Sequence, residues 1–129
     1  MDDGYGRNRG VRAPARAPGV APRMTPALQP LLTALRDRLD ALYGERLVGL
    51  YLYGSQARGD ATTESDVDVL VVLDGDVRLA HEVSRMVDAT DDVVLASGKA
   101  VSLMPMPAAR FREGASVFLR HVRREAVAL

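Results

Sequence analysis

"YGSQARGDATTESDVDVLVV", residues 53–72, sets two Asp one residue apart at the start of an otherwise apolar run. Leu47 to Tyr53 ahead of it reads as a strand, broken at Gly54-Ser55, and Val67 to Leu73 as a second, nearly continuous apolar strand. Between them Gln56 to Ser65 is too polar for a core. Side chains on a strand alternate faces, so Asp66 and Asp68 project from the same face at neighbouring levels.

Working outward, Leu28, Leu31, Leu32, Leu35, Leu39 and Leu42 follow one helical face, which predicts a helix from about 27 to 43 closed by Gly44. A second helix is expected from Arg78 to about Asp91 through Val83, Met86 and Val87, and a third strand from Ala100 to Met104. Phe111, Ala115, Phe118, Leu119 and Val122 predict one or two closing helices around Gly114. The order α-β-β-α-β-α gives an α/β (α+β) fold, a small mixed sheet flanked by helices. Residues 1–25, rich in Gly, Pro, Ala and Arg, are expected to form a disordered tail, with 26–129 as the folded domain. Met24 is the expected natural start.

Composition narrows the chemistry. The 129 residues are 47% hydrophobic and carry 17 basic and 17 acidic side chains, an even balance that gives no sign of a nucleic-acid coat. With no cysteine there is no disulfide framework, thiolate metal site or cysteine nucleophile. No apolar run reaches the roughly 20 residues of a membrane span, so a cytoplasmic protein is expected. His81 and His121 read as surface residues.

Two carboxylates as close as Asp66 and Asp68 repel each other unless a cation lies between them, and hard oxygen ligands of this kind suit Mg²⁺ completed by substrate phosphates. The plainer alternative is a pair at a solvated strand end. The Gly54-Ser55 turn ends one strand just before a polar segment that could begin as a helix, and there backbone N–H groups can meet phosphate. Ser55 adds a hydroxyl, and Arg58 can reach a phosphate or pair with Asp60 or Asp66. A tight turn with Ser55 as helix cap is the alternative there.

Gly54-Ser55, ten residues, then Asp66-Val67-Asp68 followed by "VLVVL" resembles the signature of the polymerase-β-type nucleotidyltransferase superfamily, and "GSQARGD" resembles its minimal nucleotidyltransferases, often encoded beside a HEPN-domain partner. The resemblance covers about Leu28 to the C-terminus. It implies a palm-like fold in which Asp66 and Asp68 bind two Mg²⁺ ions and are catalytic, while Gly54 and Ser55 hold the triphosphate; Arg58 joins them as a nucleotide-binding candidate on its own chemistry. It further implies transfer of AMP from ATP to a hydroxyl on a partner protein, as the antitoxin of a toxin–antitoxin pair, in a possible hetero-oligomer.

One departure matters. The superfamily adds a third carboxylate from a neighbouring strand, and "KAVSLMPMP" has no acidic residue, so Ser102 is expected in that place. A hydroxyl is a poorer ligand and no general base near neutral pH. Asp91 or Asp92 could stand in only through a returning loop. A module that neutralises its partner by binding, with catalysis weakened or lost, is therefore the alternative. A small-molecule adenylyltransferase of the aminoglycoside-resistance kind would need an additional helical substrate domain. Arg120, Arg123 and Arg124, with apolar Val127 and Leu129, mark the C-terminal end as a solvated helix or a partner surface.

Overall fold

The computed structural model describes residues 28–59 and 66–129; the expected tail at 1–25, the start at Met24 and a pairing of Arg58 with Asp60 lie outside the described residues. Helix α1 (Leu28–Tyr43) leads through a short 3-10 turn, Gly44–Arg46, into β1 (Leu47–Tyr53), and the one-turn helix α2 (Ser55–Arg58) follows. Then come β2 (Val67–Leu73), α3 (Leu79–Ser97), β3 (Val101–Pro107), α4 (Ala108–Glu113), α5 (Val117–Glu125) and β4 (Val127–Ala128). Among the described residues the strands form one mixed sheet in the order β3-β2-β1-β4, β2 running antiparallel to β1 and parallel to β3. This is the expected α+β architecture.

Central position explains why β2 reads as continuous apolar chain: both its faces are covered. Val67, Val69, Val71 and Leu73 join the α1–α3 side with Leu28, Leu31, Leu32, Leu35 and Leu39, all buried. Leu70 and Val72 point to the opposite side, with Tyr51, Met106, Phe111, Leu119 and Val122 beneath α4 and α5. Each buried leucine contributes roughly 1.5–3 kcal/mol. On the second side the Tyr51 and Phe111 rings stack, centroids 5.0 Å apart.

Four expectations are corrected. Helix α3 runs six residues past Asp91, because Asp92 receives two hydrogen bonds from the Arg38 guanidinium of α1 (2.7 and 2.9 Å) and Val93 and Val94 pack on the core. Strand β3 continues through Pro105 and Pro107. The Val67 N–H donates to the Ala100 carbonyl, which turns the even-numbered β3 residues toward β2. The odd-numbered prolines, lacking N–H groups, therefore face the open edge, where they disrupt no ladder. Finally, the chain end is a strand and not a helical end: β4 pairs with β1 at Leu52 and Tyr51, and Val127 and Leu129 pack on the core. Arg123 donates to the Phe111 and Gly114 carbonyls at 2.6 Å each, tying α5 to the end of α4. Val87, Ala115 and Phe118, expected in the core, are exposed.

At the sheet end remote from the Asp pair, Glu82 of α3 is buried and accepts hydrogen bonds from the Tyr43 hydroxyl (2.8 Å), Arg85 (3.3 Å) and Arg46 (3.4 Å). Arg46 also donates to the Asp74 and Asp76 carbonyls, fastening the β2–α3 connection. Burial alone would raise the Glu82 carboxyl, but the hydrogen bonds from Tyr43 and Arg46 and the charges of Arg46 and Arg85 hold it below the usual carboxylate range. A depressed folded-state pKa stabilises fully above the unfolded value, about 4.3, and that contribution is lost as pH falls through the folded value. Urea denaturation at pH 6 and pH 3 should thus show wild type losing more stability than Glu82→Gln; equal losses would sink the assignment. Tyr43→Phe should cost about 1–2 kcal/mol at neutral pH.

Candidate functional site

The strand register brings the site together. Tyr53, the last residue of β1, pairs with Asp68, and Asp68 pairs on its other side with Ser102 of β3. Side chains directly opposite share a face, so Tyr53, Asp68 and Ser102 form one row across the sheet. Asp66 lies two residues earlier, just ahead of β2, close enough for its charge to act on Asp68. The face of the row is that on which Leu70, Val72 and Met106 pack against α4 and α5. The row thus occupies the open end of a surface whose other end is core.

Gly54 sits against this row. Its φ of 77° and ψ of −156° lie where essentially only glycine is found, and a Cβ there would stand 2.6 Å from the Asp68 Oδ2. The turn needs glycine twice over, for its backbone conformation and for the carboxylate that passes over it. Its carbonyl accepts from the Ala57 and Arg58 N–H groups, both at 3.1 Å, which starts α2. Gly54 is accordingly the cap residue and Ser55 the first helical one, with no side-chain cap hydrogen bond, so the reading of Ser55 as cap is corrected.

Asp68 is half-buried and Asp66 exposed. Burial, and after it the Asp66 charge, pushes the Asp68 carboxyl above its ordinary range, against the opposing pull of Arg58. Burial, then Asp68, likewise raises the Tyr53 hydroxyl. Arg58 stands 3.4 Å from Glu125 of α5, a partner that sequence reasoning did not anticipate.

Ser102 is exposed at the register position of the expected third carboxylate. Neither Asp91 nor Asp92 returns to the site: both belong to α3, and Asp92 is engaged by Arg38. Among the described residues no group of three or more His, Asp or Glu side chains is placed to hold a metal ion. His81 is exposed on α3, as expected.

Helix α5 supplies what the sequence reading missed. Phe118, His121 and Glu125 recur at helical spacing and wall a cleft of about 380 Å³ whose other wall is Tyr53, Gly54 and Arg58. That spacing was the available signal, but a wall of polar and aromatic side chains on a surface helix looks like any solvated face until the helix is docked.

Gly54→Ala should lower stability by about 1–3 kcal/mol, since alanine must adopt the glycine conformation and displace the Asp68 carboxylate. In a double-mutant cycle, Asp68→Ala should recover the steric part and leave the backbone part. Fully additive losses would mean the two residues are not in contact.

Residues 32–121 match the model of the family described as nucleotidyltransferase domain. A protein of Methanocaldococcus jannaschii named "Putative protein adenylyltransferase" is 46% identical over 46 residues, 33% of this chain and 46% of that protein, so the match spans less than half of that relative's length. A crystal structure of a "putative nucleotidyltransferase" from Sulfolobus solfataricus superposes with a TM-score of 0.49 at 18% identity, over 87% of this chain and 90% of that one. The family match takes in β1, the Gly54 turn, the Asp66–Asp68 pair and β3 together, and on it the chain belongs to the nucleotidyltransferase domain family.

Proposed function

We propose that the protein transfers a nucleoside monophosphate, AMP from ATP, to a hydroxyl on a partner protein, as the antitoxin of a HEPN-type toxin–antitoxin pair. The observation that carries nucleotidyl transfer is the Gly54 turn packed directly beneath the Asp68 carboxylate, with Asp66 two residues ahead of it. The named activity of the Methanocaldococcus relative supports the adenylyl group and the protein acceptor. The HEPN-type partner rests on the "GSQARGD" wording of the turn.

In this reading the Gly54-Ser55 turn receives the triphosphate, and Ser55 offers a hydroxyl donor. Arg58 supplies a guanidinium to the phosphates. The acceptor hydroxyl attacks the α-phosphorus, the bond to pyrophosphate breaks, and the hydroxyl proton passes to water. No covalent enzyme intermediate is required, so a chain without cysteine loses nothing.

The donor set fits Mg²⁺: two hard carboxylates stand two residues apart, and Asp68 is held where burial and Asp66 disfavour its ionised form. Held by Asp66 and Asp68, the ion would neutralise that repulsion and the charge on the attacking and leaving oxygens. Asp66 and Asp68 thereby orient the reacting phosphate against the turn.

Ser102 beside Asp68 favours a second reading, a nucleotidyltransferase fold that neutralises its partner by complex formation with catalysis weakened or lost. Among the described residues no helix is long and apolar enough to cross a membrane, which is consistent with either reading.

The two readings separate in one experiment. The protein is incubated with ATP, Mg²⁺ and the product of its adjacent gene, and intact masses of both chains are taken. Wild type should add one or more AMP groups to the partner, and Asp66→Asn and Asp68→Asn should each slow this by about 100-fold or more. An unmodified partner that co-purifies equally with wild type and both variants establishes the binding module instead.

A further inference from the structure

In the cleft between the Gly54 turn and α5, the Gly54 and Arg58 side serves the triphosphate in the reading above, whereas the α5 side, Phe118, His121 and Glu125, has no role in that transfer step. The cleft measures about 380 Å³, within the size range of small-ligand sites. Its walls differ in kind. Tyr53 and Phe118 meet nearly perpendicular, at 85° with centroids 5.7 Å apart, and Tyr53 also packs on the α4–α5 core. Phe118 is 42% exposed although it is a large apolar side chain. Glu125 lies at the rim, 3.4 Å from Arg58 and 3.9 Å from the His121 Nδ1.

This combination selects a ligand group. A carboxylate at Glu125 disfavours a second phosphate on the α5 side, so the anionic part of a nucleotide belongs on the Gly54 side. What remains is an uncharged, flat, hydrogen-bonding moiety. An exposed aromatic ring stacks bases of any sequence, and Glu125 offers an acceptor to a ribose hydroxyl or an exocyclic amine. Arg58 stands between the two halves, close enough to Asp68 to oppose its raised pKa and in contact with Glu125 across the cleft.

We infer that this cleft is the nucleoside subsite, with the Phe118 ring as the surface on which the base stacks and Glu125 as a hydrogen-bond acceptor. The inference rests on the nucleotidyltransferase reading of the Gly54, Asp66 and Asp68 site. It assigns to α5, rather than to a separate domain, the discrimination of a nucleoside triphosphate from bare polyphosphate.

The test compares two ligands in the presence of Mg²⁺ by calorimetry: a non-hydrolysable ATP analogue and inorganic tripolyphosphate, which lacks the nucleoside. Wild type should bind the analogue about tenfold or more tightly than tripolyphosphate. Phe118→Ala should remove most of that difference while leaving tripolyphosphate affinity unchanged, and Phe118→Trp should keep it. Thermal melts of each variant identify any loss due to unfolding, and the Trp variant carries the test if the Ala variant does not fold. Equal weakening of both ligands, or no change in either, overturns the subsite, as does unchanged analogue binding with slowed transfer to the partner, which would place the acceptor in the cleft. Failure of wild type to bind either ligand overturns the nucleotide reading itself, and the subsite with it.

Discussion

The contact between the Asp68 carboxylate and the bare Cα of Gly54 is the constraint around which the rest of this molecule is arranged. No other residue type can occupy position 54 in that backbone conformation and leave Asp68 where it is. The contact holds because β1 and β2 are antiparallel neighbours in a register that sets Tyr53 opposite Asp68, and that register is maintained by apolar residues alternating to two cores. A slip of one residue would move Asp68 into the α1–α3 core and bring an apolar neighbour to the turn. The hydrophobic pattern of β2 therefore specifies the position of a charged pair that contributes nothing to that core.

Placing charge at the end of a central strand has an energetic consequence. Burial and Asp66 both work against ionisation of Asp68, and Arg58 only partly offsets them. Such an arrangement disfavours the ionised Asp68, and in the function proposed above a cation held by Asp66 and Asp68 would offset that cost. Glu82, at the opposite end of the sheet, shows the contrast. It is more deeply buried, yet Tyr43, Arg46 and Arg85 satisfy it, and its carboxyl moves the other way. Hydrogen bonds and cations outweigh burial at one carboxylate, and at the other burial prevails.

The α-helices divide along the same line. On one face α1 and α3 make the larger core, tied by Arg38 and Asp92 and by the Glu82 cluster. On the other, α4 and α5 cover only part of the sheet, and α5 meets the Asp68 row at Tyr53, so it serves both as core through Leu119 and Val122 and as cleft wall through Phe118 and His121. Strand β4 closes the β1 edge and fixes where α5 ends.

Much of this was legible beforehand because the signals are local. The leucine spacing of α1, the apolar runs of β1 and β2, and the Gly-Ser turn ten residues before two alternating Asp all follow from side-chain periodicity and from the conformational needs of single residues. Ser102 was expected in the place of the third carboxylate that the family resemblance implies on the next strand, and parallel pairing of β3 with β2 sets it opposite Asp68. What the chain's order could not reveal depended on contacts distant in sequence. Asp91-Asp92 looked like a helix end until Arg38 engaged Asp92; Pro105 and Pro107 looked like the end of a strand until β3 lay at an edge; Val127 looked like a helical tail until β1 offered it a partner. The α5 wall of the cleft belongs with these, since Phe118 and Glu125 come to face the Gly54 turn only when the helix docks beside it, more than sixty residues away in the chain. Periodicity determines which side chains share a face; only tertiary packing, through burial and register, determines which faces meet.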